Sequence, residues 1–292
     1  DAFVDSLMPP EFDTVAEYYD WRTNLNNGER PSVLFIGSRG GMLHAFDAGR
    51  FLSGDHPETV LVEKRGYFAC QDLDNNSTTP LEPNYGTGKE LWSFITANLL
   101  GRFKDSKAWV DASPTIADVR IDSDCPGCSV ASECLSGVLN NEKCLNEWRS
   151  VLLSAEGNGG DTVFALDVTD PLTPTFLWEF TDSDLYRSQS SPAVGQIGRM
   201  MINGETRWVA FFVSGHKSDN GPSIFMIDVN DGSLVMKIPL VDDRFPDLAD
   251  AVPSGQPAIV DSDGNGYLDR LYIGTDKGYL VKVNMPDDPR LE

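Results

Sequence analysis

Histidine is almost missing from this sequence: three occur among 292 residues, His44, His56 and His216. None stands at a recognisable spacing from a Ser or Cys nucleophile and an acid, so triad-type catalysis has no support in the sequence. Basic side chains are scarce too, 23 Lys and Arg against 45 Asp and Glu, which leaves a net charge of -22. That balance repels nucleic acid and anionic lipid and makes a divalent cation the natural partner. No stretch approaches the roughly 20 apolar residues of a membrane helix, and Asp1 follows no charged and apolar leader. A mature or trimmed soluble piece without membrane insertion is expected. The length permits one large all-β domain or two smaller ones.

Cysteine is sparse and uneven. Of five, Cys125, Cys128, Cys134 and Cys144 crowd one segment and Cys70 stands apart. In an acidic chain rich in turn residues this pattern predicts an oxidising location, with two disulfides stapling an insertion and three connectivities open. The spacing lacks the paired CxxC knuckles of a zinc site. Ser129 stands where a c-type haem motif needs histidine.

What the chain has in quantity is a repeat. Residues 33–47 (VLFIGSRGGMLHAFD) align without a gap on 270–284 (RLYIGTDKGYLVKVN), each an apolar strand, a glycine-bearing turn and a second apolar strand. Longer-tipped versions occupy 151–167 and 209–228. The four units close on Asp47, Asp167, Asp228 and Asn284, a period of roughly 60 residues with the first interval doubled. Ser113-Pro114-Thr115, Ser191-Pro192-Ala193 and Gln256-Pro257-Ala258 open a short apolar run before three of them. Leu91-Trp92-Ser93-Phe94, Leu177-Trp178-Glu179-Phe180 and Val235-Met236-Lys237-Ile238 follow three of them. Four short antiparallel strands at a fixed period predict an all-β propeller of four-stranded blades, quinoprotein-like, in one domain over 1–292. Loop insertions are expected at about 48–86 and 120–148, and helix only near Thr14 to Asn26 and Leu135 to Arg149. A β-sandwich is the plain alternative.

Between two strands runs Asp261-Ser262-Asp263-Gly264-Asn265-Gly266-Tyr267-Leu268-Asp269. Alternate residues of a tight coil point inward, so Asp261, Asp263 and Asn265 can converge, with the Tyr267 carbonyl as backbone ligand and Asp269 closing the shell. Gly266 permits the sharp bend. Position 12 is Tyr272 and no helix flanks the loop, which excludes an EF-hand. Carboxylates within about 5 Å of one another repel by a few kcal/mol at an effective dielectric near 20, so the loop is expected to open without a cation. Hard oxygens on a flexible loop favour Ca²⁺ over Mg²⁺. The competing reading is an acidic solvated turn.

Thr87-Gly88-Lys89-Glu90-Leu91-Trp92 resembles the tryptophan-docking repeat of quinone-dependent dehydrogenases, in which the indole packs between blades. It reports fold, since no acid, base and quinone site accompanies it. His44 reads as structural, and the tips Ser214 to Gly221 and Gly157 to Asp161 read as solvated loops.

Gly40-Gly41-Met42-Leu43-His44-Ala45-Phe46-Asp47, Gly88 to Phe94 and Val110-Asp111-Ala112-Ser113-Pro114 resemble, in matching order, the C-terminal propeller of PilY proteins. Ala165 to Pro171, Leu177 to Phe180 and the acidic loop with Tyr272 to Asp276 continue the likeness over residues 30–285. The cysteine insertion departs from the family pattern, and the family continues into further blades beyond Glu292, so the chain is expected to be part of a larger polypeptide. The resemblance implies a non-enzymatic type IV pilus tip or biogenesis protein, exported through the periplasm to the bacterial surface. Calcium at Asp261, Asp263, Asn265, Tyr267 and Asp269 would govern pilus extension, retraction and adhesion, with minor pilins and host or abiotic surfaces as partners. A quinoprotein-like oxidoreductase and an integrin-like or lectin-like calcium propeller are the alternatives, although the latter repeat the loop in several blades.

Overall fold

The computed structural model describes residues 18–22, 30–52, 66–71, 82–102, 109–124, 143–188, 190–197, 207–215, 221–241 and 245–285. Four antiparallel sheets follow one another along the chain. The first holds β1 (Val33–Gly37) and β2 (Leu43–Asp47). Two small ribbons come next, β3 (Phe51–Leu52) with β4 (Tyr67–Phe68) and β5 (Cys70–Gln71) with β6 (Glu82–Pro83), before β7 (Glu90–Phe94) joins β2. The second sheet is β8 (Thr115–Asp124), β9 (Lys143–Ala155), β10 (Thr162–Asp167) and β11 (Thr175–Thr181). The third is β12 (Ala193–Ile197), β13 (Arg207–Val213), β14 (Ser223–Asp228) and β15 (Leu234–Pro239). The fourth is β16 (Pro253–Val260), β17 (Arg270–Thr275) and β18 (Leu280–Asn284). The second to fourth are meanders of sequential strands, and the first keeps the same antiparallel order with the two ribbons inserted between β2 and β7, each the blade of a propeller.

The apolar runs VLLSA and WVAFFV lack polar alternation because both of their faces are covered. Successive side chains of a strand point to opposite faces. Thus Val151 and Leu153 pack with Ala210, Phe212, Phe225 and Ile227 of the third sheet, while Leu152 between them packs toward Leu43 and Val110 on the side of the first. In β13, Ala210 and Phe212 face the second sheet, and Val209, Phe211 and Val213 face Leu268, Leu271 and Ile273 of the fourth. The core lies between blades.

The acid closing each repeat has one recurring task. Asp47, Asp167 and Asp228 each accept from the amide two residues on, of Gly49, Thr169 and Asn230, at 2.8–2.9 Å, turning the chain out of the strand. The docking tryptophans also act alike. Trp92 donates to the Pro171 carbonyl at 2.8 Å and Trp178 to the Val229 carbonyl at 2.9 Å, each reaching the next blade. A β-bulge recurs beside this position, between Ala45 and Phe46, Ala165 and Leu166, and Met226 and Ile227. Met236 holds the corresponding place in the third sheet, opposite Met226.

Two expectations are corrected. Residues 143–149 form strand instead of helix, because β8 and β9 continue as a ribbon in which Trp148 pairs with Arg120 and Glu147 with Ile121. Helix is found at residues 18–22 and in the single turn α1 (Ala97–Leu100). The turn at 157–161 is a packed element: Gly157 and Gly159 are buried, and a β-carbon on Gly159 would fall 1.7 Å from the Trp109 carbonyl oxygen. Beside it the fully buried Glu156 accepts from Thr96 Oγ1 and, at 3.1 Å, from Asn98 Nδ2, tying α1 to the second sheet. Cys125, Cys128 and Cys134, like the Cys144 side chain, lie outside the described residues; Cys70 is exposed and free.

Trp178→Phe leaves the Val229 carbonyl without its donor, and the expected loss is about 1–3 kcal/mol, read as a lower urea midpoint at unchanged slope. Burial raises the Glu156 pKa, only partly offset by its hydrogen bonds. A carboxyl whose folded pKa is raised contributes most below its unfolded pKa and loses that contribution as pH rises through the folded value. Melting curves from pH 4 to 8 should therefore show wild type losing stability relative to Glu156→Gln as pH rises.

A candidate metal-binding loop

β16 ends at Val260 and β17 begins at Arg270, and the amide of Asp269 donates to the Val260 carbonyl at 3.1 Å to close the loop between them. Gly264 and Gly266 have φ of +76° and +89°, in the left-handed region that a side chain disfavours, and so let the backbone coil.

The coil winds on Asp261. Its Oδ1 accepts from the amides of Gly264 at 2.7 Å and Asn265 at 3.2 Å, and its Oδ2 accepts from Gly266 at 2.7 Å. Asp263 accepts from the Asn265 amide and from Asn265 Nδ2, both at 3.2 Å. Asn265 Oδ1 in turn accepts from the Tyr267 amide at 2.8 Å. Asp261, Asp263 and Asn265 are thus brought together. Asp269 is not gathered with them: it accepts from the Ser262 amide at 3.1 Å and from the Ser262 hydroxyl. Among the described residues no three His, Cys, Asp or Glu side chains form a metal-holding group. Repulsion between the acids is offset here by peptide N–H groups, a contribution that ligand spacing does not reveal.

Leu268, outside the predicted ligand set, anchors the loop. Its amide donates to the Gln196 carbonyl of β12 at 2.8 Å, and its fully buried side chain lies against Gly195, where a β-carbon would fall 2.4 Å from Leu268 Cδ1. The aliphatic residue just before Asp269, in an otherwise polar loop, was the available signal. The loop therefore joins two strands of its own blade to the neighbouring blade, with hard oxygens along an exposed edge. Asp261, Asp263 and Asn265 are the hard oxygen donors this loop could offer a divalent cation.

A second constellation escaped the sequence spacing. Ser38 Oγ lies 3.0 Å from His44 Nε2, and His44 Nδ1 lies 2.8 Å from Glu90 Oε1 on β7, so a serine, a histidine and an acid do meet. Ser38 Oγ is also 3.1 Å from the Met42 carbonyl and accepts from the Gly40 amide at 3.2 Å. These contacts fasten the β1–β2 tip to β7. His216 lies outside the described residues, while its neighbour Gly215 donates to the Leu185 carbonyl at 2.9 Å.

No protein-family model matches the chain. Curated proteins similar to it include two type IV pilus biogenesis factors. One is the type IV pilus biogenesis factor PilY1 homolog of Xylella fastidiosa strain Temecula1, 26% identical over 97% of this chain and 16% of that protein. The other is the type IV pilus biogenesis factor PilY1 of Pseudomonas aeruginosa strain UCBPP-PA14, 27% identical over 71% of this chain and 16% of that protein. The chain thus spans about a sixth of the length of these relatives. Its fold is similar to the crystal structure of the Pseudomonas aeruginosa PilY1 C-terminal domain, with a TM-score of 0.57 at 21% identity over 92% of this chain and 41% of that one.

Leu268→Ala opens a cavity between two blades at a fully buried site. The expected cost is about 2–5 kcal/mol of global stability, measured by denaturant unfolding followed by tryptophan fluorescence.

Proposed function

We propose that this chain, a β-propeller domain of the PilY family, serves type IV pilus biogenesis as a calcium-binding module. Support for the pilus role comes from two relatives named as type IV pilus biogenesis factors. Support for the metal comes from one observation, the coil in which Asp261 gathers three loop amides and holds Asp263 and Asn265 beside it. Asp261, Asp263, Asn265, the Tyr267 carbonyl and Asp269 are the residues that would hold Ca²⁺, which supplies charge neutralisation and a tie between β16 and β17. The module would act at the bacterial surface, at the pilus tip, against minor pilins and host or abiotic surfaces, with ion occupancy biasing extension, retraction and adhesion. It would do so without catalysis, since Ser38 is engaged within its own turn.

Calorimetric titration with CaCl₂ tests the metal. Wild type is expected to bind one ion per chain, and at a hundred times the dissociation constant the ion adds about 2.7 kcal/mol of stability. Asp261→Ala should abolish the heat, while Leu268→Ala, assayed below its lowered melting point, should retain it. An unchanged titration in Asp261→Ala sinks the assignment.

A further inference from the structure

The dipeptide Asn–Gly occurs five times in the sequence, and two of these pairs lie wholly among the described residues, Asn158-Gly159 and Asn265-Gly266. This dipeptide is open to loss of the asparagine side-chain amide, because a glycine without a β-carbon lets its backbone nitrogen attack the carboxamide carbon before it. The attack needs both atoms in a near-attack geometry, with the glycine N–H released. The fold treats the two pairs differently.

At 158–159 the link is locked by packing. Gly159 lies under Trp109, and its amide donates to the Glu156 carbonyl at 3.2 Å. Asn158 is tied to Asp111 through its amide at 2.8 Å and its Nδ2 at 2.9 Å. Reaction there requires the buried turn to come apart beneath Trp109.

At 265–266 the lock is made of hydrogen bonds. Asp261 Oδ2 holds the Gly266 amide at 2.7 Å, Asn265 Oδ1 accepts from the Tyr267 amide at 2.8 Å, and Asn265 Nδ2 donates to Asp263 at 3.2 Å. The nucleophile, the carbonyl under attack and the leaving nitrogen are each engaged elsewhere. Asp263 and Gly264 beside them are exposed, and a β-carbon on Gly264 would meet nothing within 4 Å, so this part of the coil opens to water without displacing packed neighbours.

We propose that Asn265 is a self-modification site that the wound coil holds in reserve. When the coil opens, the Gly266 nitrogen bonds to Asn265 Cγ and gives up its proton, which leaves with Nδ2 as ammonia, and a cyclic imide remains. Water then adds to one imide carbonyl and breaks the bond from that carbon to the Gly266 nitrogen, leaving aspartate or isoaspartate. Either product adds a negative charge beside Asp261 and Asp263, which repels them. Isoaspartate also inserts a methylene into the backbone, so the amides that wind on Asp261 fall out of register. Opening, reversible until then, becomes permanent. The inference concerns the covalent chemistry of the loop and stands whether or not the loop holds a metal.

The folded chain is incubated with a chelator at mildly alkaline pH, and ammonia loss at each asparagine is followed by peptide mapping and mass spectrometry. A synthetic peptide of residues 259–270 serves as the open reference. Asn265 in the folded chain should react at least about tenfold more slowly than in the peptide, since reaction waits on opening of a coil held by charge-assisted hydrogen bonds. Asp261→Ala, shown folded by circular dichroism, should bring the rate close to that of the peptide. Asp261→Asn, which keeps a weaker acceptor for the Gly266 amide, should fall between, and with the peptide it decides the matter should Asp261→Ala not fold. Asn158 should stay intact in each folded chain. Equal rates at Asn265 in the wild-type chain and the peptide overturn the proposal. So does an unchanged rate in both Asp261 variants, reaction at Asn158 as fast as at Asn265, or an Asn265 that stays intact even in the peptide.

Discussion

Burial of both faces of each blade against its neighbours is the constraint on which the rest of this structure depends. A three- or four-stranded meander has no interior of its own, so its apolar side chains reach a dry environment only in the next sheet. That is why β9 and β13 are apolar at successive positions, and why Leu152 points one way while Val151 and Leu153 point the other. Their polar counterparts are spent at the same seams. Trp92 and Trp178 each send an indole N–H to a neighbouring carbonyl, and Glu156 joins α1 to the second sheet. A change at a seam therefore reports on two blades, and coupling between such substitutions should exceed that between residues of distant blades.

The acidic loop shows the same economy at smaller scale. Clustered carboxylates are tolerated where peptide N–H groups converge on them, and Asp261 accepts three. The coil is thus wound by its own peptide groups, with Asp269 held on Ser262. Anchoring of Leu268 to Gln196 gives that loop a fixed attachment on the adjacent blade.

How much of this was legible beforehand varies with the range of the interaction. The blades were, because a period-2 hairpin with glycine in its turn is local and recurs, and the gapless match of 33–47 to 270–284 corresponds to β1–β2 and β17–β18 with the same register, Gly37 opposite Leu43 and Gly274 opposite Leu280. The docking tryptophans were legible for the same reason. Hidden were the contacts between distant segments. Ser38, His44 and Glu90 meet only because β7 returns beside β2 across the two ribbons. The buried turn at 157–161 looks like a polar tip until Trp109 is laid over Gly159. The strand at 143–149 owes its conformation to a partner some 25 residues earlier, beyond the reach of local propensity.

The excess of acid, which at first favours a cation-binding protein, has a more divided meaning. Asp47, Asp167 and Asp228 turn the chain at the end of three repeats, and Asp182 after β11 accepts from the Asp184 amide. Aspartate suits these places because its short side chain reaches a nearby N–H without disturbing the strand it follows. A propeller repeats such turns in every blade, so its composition drifts acidic through architecture alone. Net charge consequently says little about metal in this fold. What distinguishes residues 261–269 is that several such acids fall within one turn of backbone, with left-handed glycines between them and a buried leucine fixing the coil to its neighbour.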